Sequence, residues 1–236
     1  MCIRDRDYPF LKIYRGLARE HLKALIQLGQ FDELKKHLDI YQRKGIFRKN
    51  GKTTNTDFLF RAVCNEMVLI GNNTQLELYA QIFQQWIHEN KDTRPLRNLP
   101  FVKFYLKNYD EAIELLKKSI LEEKSSRHLM ELHMLLGVCF AKKGNIEKAN
   151  LQIQRIGTME ELPNRHDAFG AKYYHQARIK LAMKKEKEAL NALNQALANK
   201  AEFWSYKFQE DSFLIDLFEH LSFQNMVKSN NSITTN

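Results

Sequence analysis

Four stretches of the chain repeat one arrangement of polar and apolar positions without gaps: GQFDELKKHLDIY from Gly29, KNYDEAIELLKKSI from Lys107, GNIEKANLQIQRI from Gly144 and KKEKEALNALNQAL from Lys184. Each starts at a turn residue and passes through acidic residues to an apolar or alanine anchor, with a second apolar residue four positions on. The pairs are Leu34/Leu38, Ala112/Leu116, Ala149/Ile153 and Ala189/Leu193. A spacing of four puts both side chains on one face of a helix. A fainter copy from Gly71 has Leu76 and Ala80 at the same offsets. The five anchors, at 34, 76, 112, 149 and 189, are separated by 42, 36, 37 and 40 residues. Before the anchors run further stretches with helical spacing, such as HLMELHMLLGVCFAKK. The pattern therefore predicts a helix, a turn and a second helix, repeated about five times.

Local signals refine the elements. Pro100 in LRNLPFVKFYLKN predicts that the first helix of the third hairpin starts at or near it, because proline lacks the amide that a helix interior needs. The longest interval, 42, holds GIFRKNGKTT. This stretch resembles a phosphate-binding loop, but Gly45 stands one residue too early and the preceding segment is helical rather than a strand. It reads as a basic connector in which Gly45 ends one helix and the threonines with Asp57 start the next. The closing DSFLIDLFEHLSFQNMV carries a helical apolar stripe, so cap helices are expected over 207–227 and a disordered tail over 228–236. The repeats cover 7–206. Residues 1–6, MCIRDR, resemble the translation of a sequencing-library adapter, which implies that they are not native and that the native chain continued upstream.

Composition supports helix, with 9 Gly and 4 Pro in 236 residues and no long Val/Ile/Thr alternation. No run of about 18 apolar residues is present, so no membrane span is expected. Three cysteines without CxxC spacing argue against a disulfide framework or a zinc site and fit a reducing, cytoplasmic compartment.

One repeat allows a family comparison. His133, Leu136, Gly137 and Phe140, followed by Ala149 and Ile153, resemble the tetratricopeptide pattern W-x2-L-G-x2-Y and A-x3-F. In that pattern small residues such as Gly137 and Ala149 lie where two helices cross, and the larger ones fill the space around them. An ordinary helical bundle would also bury these residues, but near-fixed intervals favour a repeat. Departures are His133 at the tryptophan position, Lys180 at an aromatic one, and intervals longer than the standard repeat. The resemblance implies an all-α fold, a right-handed α-solenoid of tetratricopeptide-like helical hairpins with a C-terminal capping helix.

The chain carries no recognisable catalytic set. Its 8 histidines include no HxxxH pair, and NRHD at Asn164–Asp167 stands without the rest of a kinase signature. Cys64 and Cys139 read as core thiols. No enzyme activity, cofactor or metal is expected. Charge is more informative: 37 Lys and Arg against 28 Asp and Glu give a net +9, and Lys35–Lys52 holds seven cations against one acid, Asp39. Such a patch attracts nucleic acid, an acidic peptide or an anionic surface. The tetratricopeptide resemblance implies that the first helix of each hairpin lines a concave, peptide-binding surface. The positions on it are Arg19, Lys23, Arg61, Asn65, Asn98, Tyr174, His175 and Arg178. Arg61, Asn65 and Asn98 are similar to the start of a carboxylate clamp, whose last two basic positions fall on Glu131 and Leu135. The expected role is a protein-interaction scaffold for an acidic partner peptide. The alternatives are a regulatory or docking domain of a larger enzyme or sensor, and nucleic-acid binding through residues 35–52.

Overall fold

In the computed structural model, residues 8–30, 32–34, 36–37, 40, 48–49, 52–53, 64–69, 71, 74–78, 80–81, 95–124, 126–159, 170–199, 204, 207–209 and 211–231 are described. They are helical apart from turns and one two-rung β ladder. The fold is all-α. The chain divides into two compact units, Met1–Asn90 and Lys91–Asn236.

The first unit opens with α1 (Tyr8–Gln27). Its apolar stripe buries Ala18, Leu22, Leu25 and Ile26, and the same unit buries Leu34, Cys64, Met67, Leu76 and Ala80 from the helical stretches that follow. The connector departs from expectation. β1 (Arg48–Lys49) pairs antiparallel with β2 (Lys52–Thr53), in the register Arg48 to Thr53 and Lys49 to Lys52. Thr53 thus lies in a strand and does not start a helix. Between the paired residues the sequence reads Asn50-Gly51, the pair best suited to a two-residue hairpin turn. Gly45, Thr54 and Asp57 lie outside the described residues.

The second unit contains α2 (Pro95–Tyr105), α3 (Tyr109–Glu122), α4 (Ser126–Lys142), α5 (Ile146–Gly157), α6 (Ala171–Ala182) and α7 (Glu186–Asn199). A 3-10 turn (Ser212–Leu217) and α8 (Leu221–Asn231) follow. Helices α2 and α3, α4 and α5, and α6 and α7 pack as hairpins; α4 also packs on α3 and α6, and α5 on α6. The third hairpin's first helix starts at Pro95 rather than Pro100. Pro95 occupies the first helical position, where its missing N–H costs nothing, and the buried Pro100 is carried inside the helix. Helix α8 continues through residues 228–231, expected as tail.

The repeat is visible in the backbone as one recurring turn. Gly144 has φ +76°; its N–H donates to the Ala141 carbonyl at 2.9 Å, and the N–H of Asn145 donates to that of Phe140 at 2.8 Å. This pair of bonds satisfies the last carbonyls of α4. The Asn145 carbonyl then accepts from Ala149 N–H, opening α5, while the Asn145 side chain caps Lys148 N–H. The same three backbone bonds recur around Gly29, Lys107 and Lys184, ending at Leu34, Ala112 and Ala189. Gly71, at φ +70°, stands in the same relation to Leu76. In all five cases the positive-φ residue lies five positions before the anchor, and every anchor is buried.

Packing at the second hairpin of this unit follows from two small residues. Ala149 is fully buried, and a Cβ on Gly137 would lie 2.5 Å from Ile179 Cδ1 and 3.1 Å from Gln152 Cβ. Gly137 therefore admits both α5 and the next hairpin's α6. Beside it, His133 is buried and its Nδ1–H donates to Gln152 Oε1 at 2.8 Å. Burial lowers the His133 pKa, keeping the ring neutral, although the Gln152 bond opposes this. Ile153, the expected partner of Ala149, is only half-buried; Gln152 and Ile156 are the buried residues of that stripe.

Lysine at φ +58° and +60° at positions 107 and 184 carries a steric cost that glycine avoids. Lys107→Gly and Lys184→Gly should each raise unfolding free energy by about 0.5–1 kcal/mol in urea denaturation; losses at both would contradict the turn geometry. Gly137→Ala should cost about 1–3 kcal/mol through overpacking. Ile179→Val, which removes the clashing Cδ1, should recover part of that loss, whereas strictly additive losses would contradict the close approach.

Candidate functional site

The first-helix positions of α6 lead to a buried polar cluster. Tyr174 and Arg178 lie one turn apart on α6 and so share a face. The Tyr174 hydroxyl donates to Asp211 Oδ2 at 2.7 Å, and Arg178 Nε donates to the same oxygen at 2.7 Å. A second guanidinium nitrogen, Nη2, donates to the Tyr174 oxygen at 2.6 Å. The other Asp211 oxygen, Oδ1, accepts from Phe213 N–H at 3.1 Å and caps the 3-10 turn. Exposure falls to 11% for the Arg178 side chain and 2% for that of Asp211.

Aromatic rings enclose the pair. The guanidinium carbon lies 4.2 Å from the Tyr174 ring centroid and 4.8 Å from that of Phe213. Phe213 stacks in turn on Phe104 of α2 at 5.5 Å. Trp204 and Phe208 pack on Tyr174 at 4.9 and 5.7 Å, within a core that also takes in Leu214, Leu217 and Phe223. Gly170, at φ +83°, permits the close approach, since a Cβ there would meet the Ala196 carbonyl and Trp204 Nε1, each at 2.9 Å.

Electrostatics hold the charges in place. Burial raises the Tyr174 pKa well above its ordinary value, so the phenol stays protonated and able to donate. For Arg178, burial alone would lower the pKa, but Asp211 and the neighbouring Tyr174 and Glu131 outweigh it and the guanidinium is held charged. Glu131 thus adds negative charge to the surroundings of Arg178.

The other sequence-predicted positions are distributed between the units. Lys23, on α1, has a side chain 14% exposed; its Nζ lies 4.0 Å from Glu66 Oε2 and 3.9 Å from Glu20 Oε1. Glu66 is buried and also accepts from Gln27 Nε2 at 2.7 Å. Asn65 is half-buried beside it in the chain. Arg19 lies in α1 and Asn98 in α2, with side chains outside the described set; Arg61 lies outside the described residues. His175 is half-buried with its ring 5.4 Å from Tyr174. Lys23 and Arg178 are therefore not open cations: each already faces a buried carboxylate. Sequence reasoning missed Glu66, Asp211 and Phe213. For Asp211 a local signal existed, an acid two residues before the amide it caps, but nothing local pointed to α6.

No protein-family model, curated protein or solved structure matches the chain. Among the described residues no group of His, Cys, Asp and Glu could hold a metal ion, and no helix is long and apolar enough to cross a membrane. Burial raises the Cys64 thiol pKa well above its ordinary value and pushes Cys139 up to about 12, so both thiols are protonated and poor nucleophiles.

Removing one partner of a buried ion pair leaves an uncompensated charge. Asp211→Ala should destabilise the fold by about 3 kcal/mol or more, and Tyr174→Phe by about 1–2 kcal/mol. Both are read by chemical denaturation, and an unchanged midpoint for Asp211→Ala would contradict the burial of the pair.

Proposed function

We propose that the chain is a right-handed solenoid of divergent tetratricopeptide-like hairpins and works as a protein-interaction scaffold, holding an acidic peptide segment of a partner along its first-helix face. The repeated turn, with a buried anchor five residues after each positive-φ position, supports the repeat reading. The small-residue crossing at Gly137 and Ala149 agrees with it. The observation that carries the functional reading is the carboxylate received by Tyr174 and Arg178. Two first-helix side chains take an acidic group with charge-assisted bonds, the stronger kind. Here that group belongs to the chain itself. In this reading Arg19, Arg61, Asn65, Asn98 and His175 supply the rest of the partner surface, while Lys23 is already matched by Glu66 and Glu20.

Isolated surface contacts contribute about 0–1 kcal/mol each, so affinity is micromolar at best and depends on several residues together. The test uses cations outside the described ion pairs, because reversing Arg178 or Lys23 would strand Asp211 or Glu66. A fluorescein-labelled peptide of twelve alternating Asp, Glu and Phe residues is titrated by anisotropy against the parent and against Arg19→Glu/Arg61→Glu. The reading predicts at least a tenfold loss of affinity with the helical circular dichroism signal intact. Equal affinity would remove the first-helix face as the working surface.

A second reading has its own observation. The β ladder brings Arg48, Lys49 and Lys52 into two adjacent rungs, a compact basic hairpin suited to a phosphate backbone. Binding to single-stranded RNA that falls steeply with salt would favour it.

A further inference from the structure

Resting on the scaffold reading above, we infer that Asp211–Phe213 is the chain's own occupant of this face. A partner that engages Tyr174 and Arg178 presents an acidic residue followed two positions later by an aromatic ring, and must displace that occupant.

The site reads two features at a fixed spacing. The first is a carboxylate, since one Asp211 oxygen receives both Tyr174 OH and Arg178 Nε. The second is an aromatic face, since Phe213 lies between the Phe104 ring at 5.5 Å and the Arg178 guanidinium at 4.8 Å. Stacking of this kind needs a flat ring, and an aliphatic side chain would give up the cation–π attraction. The spacing is set locally, because Asp211 Oδ1 accepts the Phe213 amide and folds the three residues into one turn. Arg178 is the common element, touching the acid, the ring and Tyr174 at once.

The receptor side chains come from α2 and α6, and the occupant from a separate segment beyond α7. The chain therefore contains both halves of an interaction, receptor and ligand, joined as an intramolecular pair. Tethering gives the occupant a high effective concentration, so a free segment of the same chemistry competes poorly. Phe208, Leu214 and Leu217, all fully buried, strengthen that hold on either side. Phe213 is only half-buried, so its ring stands at the accessible edge of the site. The result is a face kept closed until a stronger or multivalent acid-x-aromatic partner arrives.

The test offers the chain its own ligand from outside. The probe is a labelled, end-capped peptide with the sequence of residues 208–218, FQEDSFLIDLF. It is titrated against the parent and against D211N/F213A, whose internal occupant has lost both recognition features. The expected result is at least tenfold tighter binding to the variant, lost when the probe itself carries D211N and F213A. Equal binding to parent and variant overturns the inference, as does equal binding of the altered probe. If D211N/F213A loses helicity, D211N alone is read by the same two criteria. A failure here with the Asp/Glu/Phe peptide still bound by the parent would leave the scaffold reading standing. Failure of both would end it.

Discussion

A guanidinium packed between aromatic rings must have its counter-charge within bonding distance, and in this protein that requirement fixes where the chain goes after α7. Asp211 has to reach α6, so the 3-10 turn and the helix after it follow a path that passes Tyr174 and Arg178. Burying the pair is costly unless every polar atom is satisfied. Here the carboxylate receives Tyr174 and Arg178 on one oxygen and the Phe213 amide on the other. The surrounding Trp204, Phe208, Leu214 and Leu217 gain burial from a path the charges specify. Hydrophobic contacts supply most of the free energy of such a core, while the ion pair supplies its register.

The hairpins themselves rest on simpler physics. A left-handed residue ends each first helix, and five positions later an anchor goes into the core. That order was legible in the sequence because glycine marks three of the five turns and the anchors recur near a fixed interval. Lys107 and Lys184 were harder to read, since lysine gives no cue to a positive φ and only alignment with Gly144 identifies them. Other elements were misread because two local signals competed. Pro100 looked like a helix start while Pro95 held the better position, and Asn50-Gly51 was passed over in favour of helix caps. Ile153 matched the family pattern, yet the 3.6-residue period through Ala149 buries Gln152 and Ile156 instead.

The candidate site was legible only in part. Counting back from the anchors led to Tyr174 and Arg178, which do lie together on α6. Their partner could not be read, because Asp211 is 33 residues from Arg178 and nothing local selects one distant carboxylate among many. Lys23 and Glu66 repeat the lesson in the first unit. A formal excess of nine positive charges suggests an open basic surface, but cations that hold buried carboxylates add little to the outside field. What a partner meets depends on which charges are already matched inside.

The central claim is that Arg178 and Asp211 act as one unit on the Tyr174–Arg178 face of α6. A double-mutant cycle with Arg178→Ala, Asp211→Ala and the double variant measures this directly by chemical denaturation. The account predicts a favourable coupling of about 1.5–3 kcal/mol, with the double variant losing much less than the two single losses added together. A coupling indistinguishable from zero would mean that the two side chains are independent and that Asp211 is not held by this face.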